Sequence, residues 1–145
     1  MQKQPRRLFL SCLGASPYTP TVYLALGGRE DEPPESGRTA FIQIARLRAL
    51  EFRDERPTVV RVLTTNEARK RNVDRLPPER PPLRPTADYP GLGIELAALG
   101  FGAAESLPKI EEGANVGELW QIFQTVMDAV EDGDEVYLDL THGFR

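Results

Sequence analysis

The chain is predicted to be an α/β domain of the Rossmann-like kind, with a mostly parallel sheet and helices on both faces. Three observations predict it. Short apolar runs of strand length (8–13, 59–63, 136–140) recur along the sequence. Segments with helical spacing of apolar residues separate them. Three of the runs end in small, hydroxyl or turn-forming residues, as strands do when their carboxyl ends open onto a ligand crevice.

Length and composition bound the rest. At 145 residues, one domain spanning 1–145 is expected, large enough to bury a core without staples. A content of 40% hydrophobic and 28% charged residues is ordinary for a globular protein. The net charge of −4 argues against wholesale binding to duplex DNA but leaves room for a small anion in a local basic pocket. The lone Cys12 excludes an internal disulfide and a cysteine-based zinc cluster, and suits a reducing cytoplasm. With a single histidine, no His-rich metal site is expected, and no cofactor motif calls for one. The stretch MQKQPRRLFLSCLG is too short and too soon interrupted for a signal peptide or a membrane span, so it reads as a first strand with a basic lead-in.

The elements follow in order. Leu8 to Leu13, closed by Gly14, is a buried strand, and 14–18 its exit loop. Residues 21–26 are β-rich and predict a second strand; 29–38 are charged and form a surface loop. From Thr39 a helix is predicted, with Phe41, Ile44, Ala45, Ala49 and Phe52 on one face, blocked by Pro57. Residues 59–63 are the next strand, ending in Thr64-Thr65-Asn66, and 67–76 a polar helix with Arg69, Lys70 and Arg71 on a solvated face. The proline-rich 77–90 is a loop, 92–99 a short helix, and 104–110 a strand. Val116, Leu119, Trp120, Phe123, Met127 and Val130 then mark a helix at i, i+3, i+4, i+7, i+11 and i+14. Asn115 and Glu118 make its capping box, and Gly133 suits its C-terminal turn. That apolar stripe is expected in the core. Residues 135–140 are the last strand.

In a parallel sheet the three polar strand ends converge on one edge. They offer Ser11, Ser16, Tyr18, Thr64, Thr65, Asn66, Thr141, His142 and Arg145, with backbone N–H groups around Gly14 and Gly143. Turn N–H groups accept anions, arginine grips phosphate bidentately, and tyrosine stacks on a base. The set suits a polyhydroxylated, phosphorylated ligand. No GxGxxG fingerprint, Walker A loop or GxSxG elbow is present. Plainer roles stand beside each residue: Ser11 as a small residue in a buried strand, His142 as a turn residue, Thr64-Thr65-Asn66 as a helix cap.

The terminal DLTHGFR, after ELWQIF and VYLDL, resembles the second signature of CARF domains (CRISPR-associated Rossmann-fold). LFLSCLGASPYTPTVYLAL is similar to the opening of the same branch, and VVRVLTTNEA and LPKI to its middle. The resemblance implies a sensor of cyclic oligoadenylate, most often the four-adenylate ring, in type III CRISPR antiviral defence. It implies a homodimer with the ring on its two-fold axis. Contacts would come from Ser11, Gly14, Ser16 and Tyr18, from Thr64 and Thr65, and from Thr141, His142, Gly143 and Arg145. Family members continue past this signature with a helix, a strand and an effector domain. On that pattern the sheet lacks its last helix and strand, and a separate effector or a completing chain is expected as partner. The alternative the resemblance allows is a metal-free ring nuclease, in which a ribose 2′-hydroxyl attacks the adjacent phosphate and Ser11, His142 and Arg145 are the catalytic candidates. A non-catalytic docking subunit that binds no nucleotide is the third reading.

Overall fold

A computed structural model describes residues 4–16, 18, 20–21, 39–50, 56–73 and 90–141. The predicted strand over 21–26, the loop over 29–38 and the proline-rich loop fall largely outside them, as do His142, Gly143 and Arg145.

The described elements run β1 (Arg7–Leu13), α1 (Ile42–Leu50), β2 (Thr58–Thr64), α2 (Asn66–Asn72), α3 (Leu92–Ala98), α4 (Ala103–Ser106), α5 (Val116–Ala129) and β3 (Glu135–Asp139). The three strands form one sheet in the order β2-β1-β3, and both pairings are parallel. The Rossmann-like α/β reading therefore holds.

Register decides which residues share a face. Phe9 lies beside Val60 and Tyr137, and Ser11 beside Val62 and Asp139. Strand side chains alternate, so this row makes one face of the sheet. Phe9, Leu13, Val60 and Val62 pack there with Phe41, Ile44 and Leu47 around α1 and with Leu92 and Leu96 of α3. The opposite face carries Cys12 beside Leu63, which pack with Ile110 and with Ile122 and Val126 of α5. Helices thus cover both faces, but unequally.

Arg6 ties α5 to the sheet. Its guanidinium donates to both carboxylate oxygens of Asp134 (2.9 and 2.6 Å), to Glu131 Oε1 (2.9 Å) and to the carbonyl of Ala129 (2.8 Å). The Asp134 bond, with Asp134 and Glu131 as opposite charges, outweighs burial and raises the guanidinium pKa. The basic lead-in seen in the sequence is therefore a structural clamp at the foot of β1.

Three expectations are corrected. Residues 104–110 do not form a strand: α4 occupies Ala103–Ser106, and only Lys109 bridges, in parallel, to Thr64. Arg69 does not lie on a solvated face, because it donates to Thr64 Oγ1 (3.0 Å) and to the carbonyl of Leu107 (2.6 Å). The α5 stripe is not core. Val116, Leu119, Trp120, Phe123 and Met127 are all at least half exposed, and Ile122 is the helix's buried residue. The helix itself is as predicted, with Asn115 Oδ1 accepting from the N–H of Glu118.

Candidate functional site

Parallel pairing brings the ends of β1, β2 and β3 to one rim. Leu13 is in register with Thr64, and Ser11 with Asp139, so the β1 exit loop, the β2–α2 junction and the residues after β3 meet there. The convergence expected from the sequence is present as far as Thr141, the last described residue.

The β1 exit is held from three sides. Gln43 of α1 donates from Nε2 to the carbonyl of Cys12 (2.9 Å) and to Ser11 Oγ (3.2 Å). Asn72 of α2 donates from Nδ2 to the carbonyls of Gly14 (2.8 Å) and Ser16 (3.1 Å). The N–H of Gly14 donates to the hydroxyl of Tyr18 (2.8 Å). A Cβ at Gly14 would stand 2.8 Å from that hydroxyl, which is why glycine fits here. The Gly14 amide is thus occupied by Tyr18 in this arrangement, and the Tyr18 ring leans on Phe41 with centroids 5.6 Å apart.

Ser11 is buried, and its hydroxyl donates to Asp139 Oδ2 at 2.9 Å. The other oxygen of Asp139 accepts from the Thr141 hydroxyl (2.6 Å) and from the Thr141 N–H (3.1 Å). Arg46 of α1 brings its Nε to 3.6 Å from the same oxygen while its side chain stays more than half exposed. A carboxylate that is buried in this way is tolerated because its lone pairs are filled and a guanidinium stands nearby. Burial first, and the Asp139 charge second, push the Cys12 thiol up, and Cys12 packs against the Leu63, Ile110 and Ile122 cluster.

At the β2 end, Thr64 is fully buried; its hydroxyl donates to the carbonyl of Pro108 (3.2 Å) and accepts from Arg69. Thr65 caps α2, its Oγ1 accepting from the N–H of Ala68 at 3.2 Å. Asn66 opens α2 and is exposed. Among the described residues, no group of three or more His, Cys, Asp or Glu is placed to hold a metal ion, and no helix is long and apolar enough to cross a membrane.

Sequence reasoning missed Asp139, Gln43, Asn72 and Arg46. Asp139 stands inside the DLTHGFR string, before the residues singled out. Gln43 was visible as a polar residue among the apolar positions Phe41, Ile44 and Ala45. Asn72 and Arg46 carried no local signal.

The fold is that of a Rossmann-like α/β protein whose parallel strands end in polar residues along one rim. No protein-family model matches the chain, and no solved structure matches it. Among curated proteins it is similar to the CRISPR-associated protein MJ1674 of Methanocaldococcus jannaschii, with 44% identity over 39 residues. That stretch is 25% of this chain and 6% of the relative.

Proposed function

We propose that this domain binds a cyclic oligoadenylate, with cyclic tetra-adenylate the first candidate, at the rim formed by the β1 exit and the residues after β3, and that it serves CRISPR-linked antiviral defence as a homodimeric sensor. The observation that carries the reading is the meeting of Ser11 and Thr141 on one carboxylate, Asp139. Two segments 128 residues apart, each resembling a stretch of the sensor family, are joined there. The similarity to a CRISPR-associated protein supports the same direction.

The ring would present phosphates and ribose hydroxyls to Thr141, Ser16, Tyr18 and Asn66, with the half-exposed guanidinium of Arg46 and the residues His142, Gly143 and Arg145 beyond. Ser11, Thr64 and Thr65 are bonded inward here and would support these residues from beneath. A ring with two-fold symmetry would be shared between two copies, each holding half.

The test is thermal. A ligand that binds the folded state stabilises it by RT ln(1 + [L]/Kd), about 2.7 kcal/mol at one hundred times Kd. Cyclic tri-, tetra- and hexa-adenylate are each added and the melting temperature read. A rise with one ring supports the reading, and no rise with any ring removes it. Resolving labelled ring after incubation separates a sensor, which returns it intact, from a ring nuclease.

A second reading, a docking subunit that binds no nucleotide, draws on one observation. Val136, Leu138 and Leu140 at β3 are exposed, as is the α5 stripe. Under it, no ring shifts the melting temperature and the protein co-purifies with a defined companion.

A further inference from the structure

We infer that Asp139 is a positioning residue: it fixes Thr141 at the rim, with the Arg46 guanidinium drawn alongside, and Ser11 acts through it rather than on the ligand. The inference deepens the cyclic-oligoadenylate reading and rests on it for its binding arm only.

Four groups from three elements converge on this one carboxylate. Ser11 of β1 donates to Oδ2 at 2.9 Å, while the Thr141 hydroxyl and N–H donate to Oδ1 at 2.6 and 3.1 Å. Arg46 of α1 stands at 3.6 Å from Oδ1. Asp139 and Ser11 are both buried, at 4% and 1% exposure, so neither side chain presents a surface to a ligand. Thr141 and Arg46 are the members of the set that reach solvent. The carboxylate therefore works as an inner anchor with two outer arms, one a hydroxyl and one a guanidinium.

The anchor is itself braced. Gln43 donates to Ser11 Oγ at 3.2 Å and to the Cys12 carbonyl at 2.9 Å. With Gln43 supplying a proton to Ser11 Oγ, the Ser11 hydroxyl hydrogen is directed to its nearer acceptor, Asp139 Oδ2, over the Cys12 carbonyl at 3.4 Å. Ionised carboxylates accept only, and donors to an ionised group form the stronger class of hydrogen bond. The donors thus converge on Asp139, from α1 through Gln43 and Ser11 on one side and from Thr141 in the turn after β3 on the other. A ribose hydroxyl arriving at the rim meets the Thr141 oxygen already oriented to accept, with the Arg46 guanidinium nearby, which lowers the ordering cost of binding.

The experiment reads the anchor with and without ligand. In Asp139→Asn, one side-chain oxygen becomes a donor, so Ser11 and Thr141 can no longer both donate to it. Amide exchange at Thr141 is expected to rise about tenfold with the melting temperature within a few degrees of the parent, and cyclic tetra-adenylate affinity to fall about tenfold. Ser11→Ala is expected to weaken the ring in the parent but to add nothing in the Asp139→Asn background, because the two share one route. Additive losses would overturn the inference by making Ser11 a direct contact. Unchanged exchange at Thr141 in Asp139→Asn would overturn it as well. Should Asp139→Asn not fold, Ser11→Ala alone must raise Thr141 exchange, or the inference fails. If the parent binds no ring while Thr141 exchange rises in the variants, the anchor stands and the functional reading falls.

Discussion

The two faces of the sheet are built from equally apolar strands and end up differently covered. On the α1–α3 side, Phe9, Val60 and Val62 disappear beneath Phe41, Ile44, Leu92 and Leu96, every one of them 1% exposed or less. On the α5 side, Leu63, Ile110 and Ile122 form a small buried cluster with Cys12 and Val126 partly buried against it, and Leu8 and Leu10 of the central strand are buried on the same face. Beside it Val136 and Leu138, in register with the buried Leu8 and Leu10, are 44% and 57% exposed. Parallel sheets ordinarily have both faces covered. The first face holds the larger buried cluster, while on the second α5 is attached through Ile122 and Val126 and through the polar clamp of Arg6 on Asp134 and Ala129.

The comparison is broken most decisively by truncating the first face. Phe41 is fully buried, touches the Tyr18 ring, and precedes α1, where its carbonyl accepts from the N–H groups of Ile44 and Ala45. Phe41→Ala is expected to cost about 3–5 kcal/mol, the range for removing a large aromatic from a packed core. Because Tyr18 holds the Gly14 amide, the same variant should loosen the β1 exit. Urea unfolding measures the first effect and amide exchange at Gly14 the second. A loss near 1 kcal/mol would mean the first face is no better packed than the second.

A smaller effect, read through pH, concerns how the first face is sealed at its margin. Glu95 of α3 accepts from Thr39 Oγ1 at 2.9 Å and faces Arg48 of α1 at 3.8 Å. Burial raises its pKa above the ordinary glutamate value of 4.5, and Thr39 and Arg48 pull it only partly back. The folded state therefore keeps this proton to higher pH than the unfolded state. Its contribution to stability is full below the unfolded value and is lost as pH rises through the folded one. Glu95→Gln should match the parent in acid and gain on it from pH 4.5 upward, as seen by melting temperature across a pH series. A difference independent of pH would mean that folding does not desolvate this carboxyl.

What the sequence made legible follows from how local each signal is. The three strands, α3 and α5 were visible because alternation, apolar runs and the Asn115–Glu118 box are properties of adjacent residues. The segment 104–110 was misread because its one β-contact, Lys109 with Thr64, is set by a distant strand. The helix α4 ahead of it is a single turn, too short to show a period. For α5, periodicity told which residues share a stripe but not what lies opposite. Ile122 falls outside that stripe and is the residue that meets the sheet. At the rim, the hydroxyls and turn residues were legible by type. Asp139, Gln43 and Asn72 were not, because a buried acceptor or carboxamide is defined by partners from other elements.

The smallest expected effect is the sharpest probe of the second face. Trp120 is 65% exposed and meets Phe123 edge to face with centroids 5.6 Å apart. Since its ring leaves water only on that one side, Trp120→Ser should change stability by no more than about 0.5 kcal/mol, the range of surface substitutions. The chain has one tryptophan, so its own fluorescence reports the same point without a substitution. An exposed indole emits at the wavelength of indole in water and is quenched by iodide. Emission shifted to the blue, shielded from iodide, together with a loss of several kcal/mol in Trp120→Ser, would show that α5 turns its stripe inward in solution. The two faces would then be equivalent, and the stability of the domain would have to be divided between them.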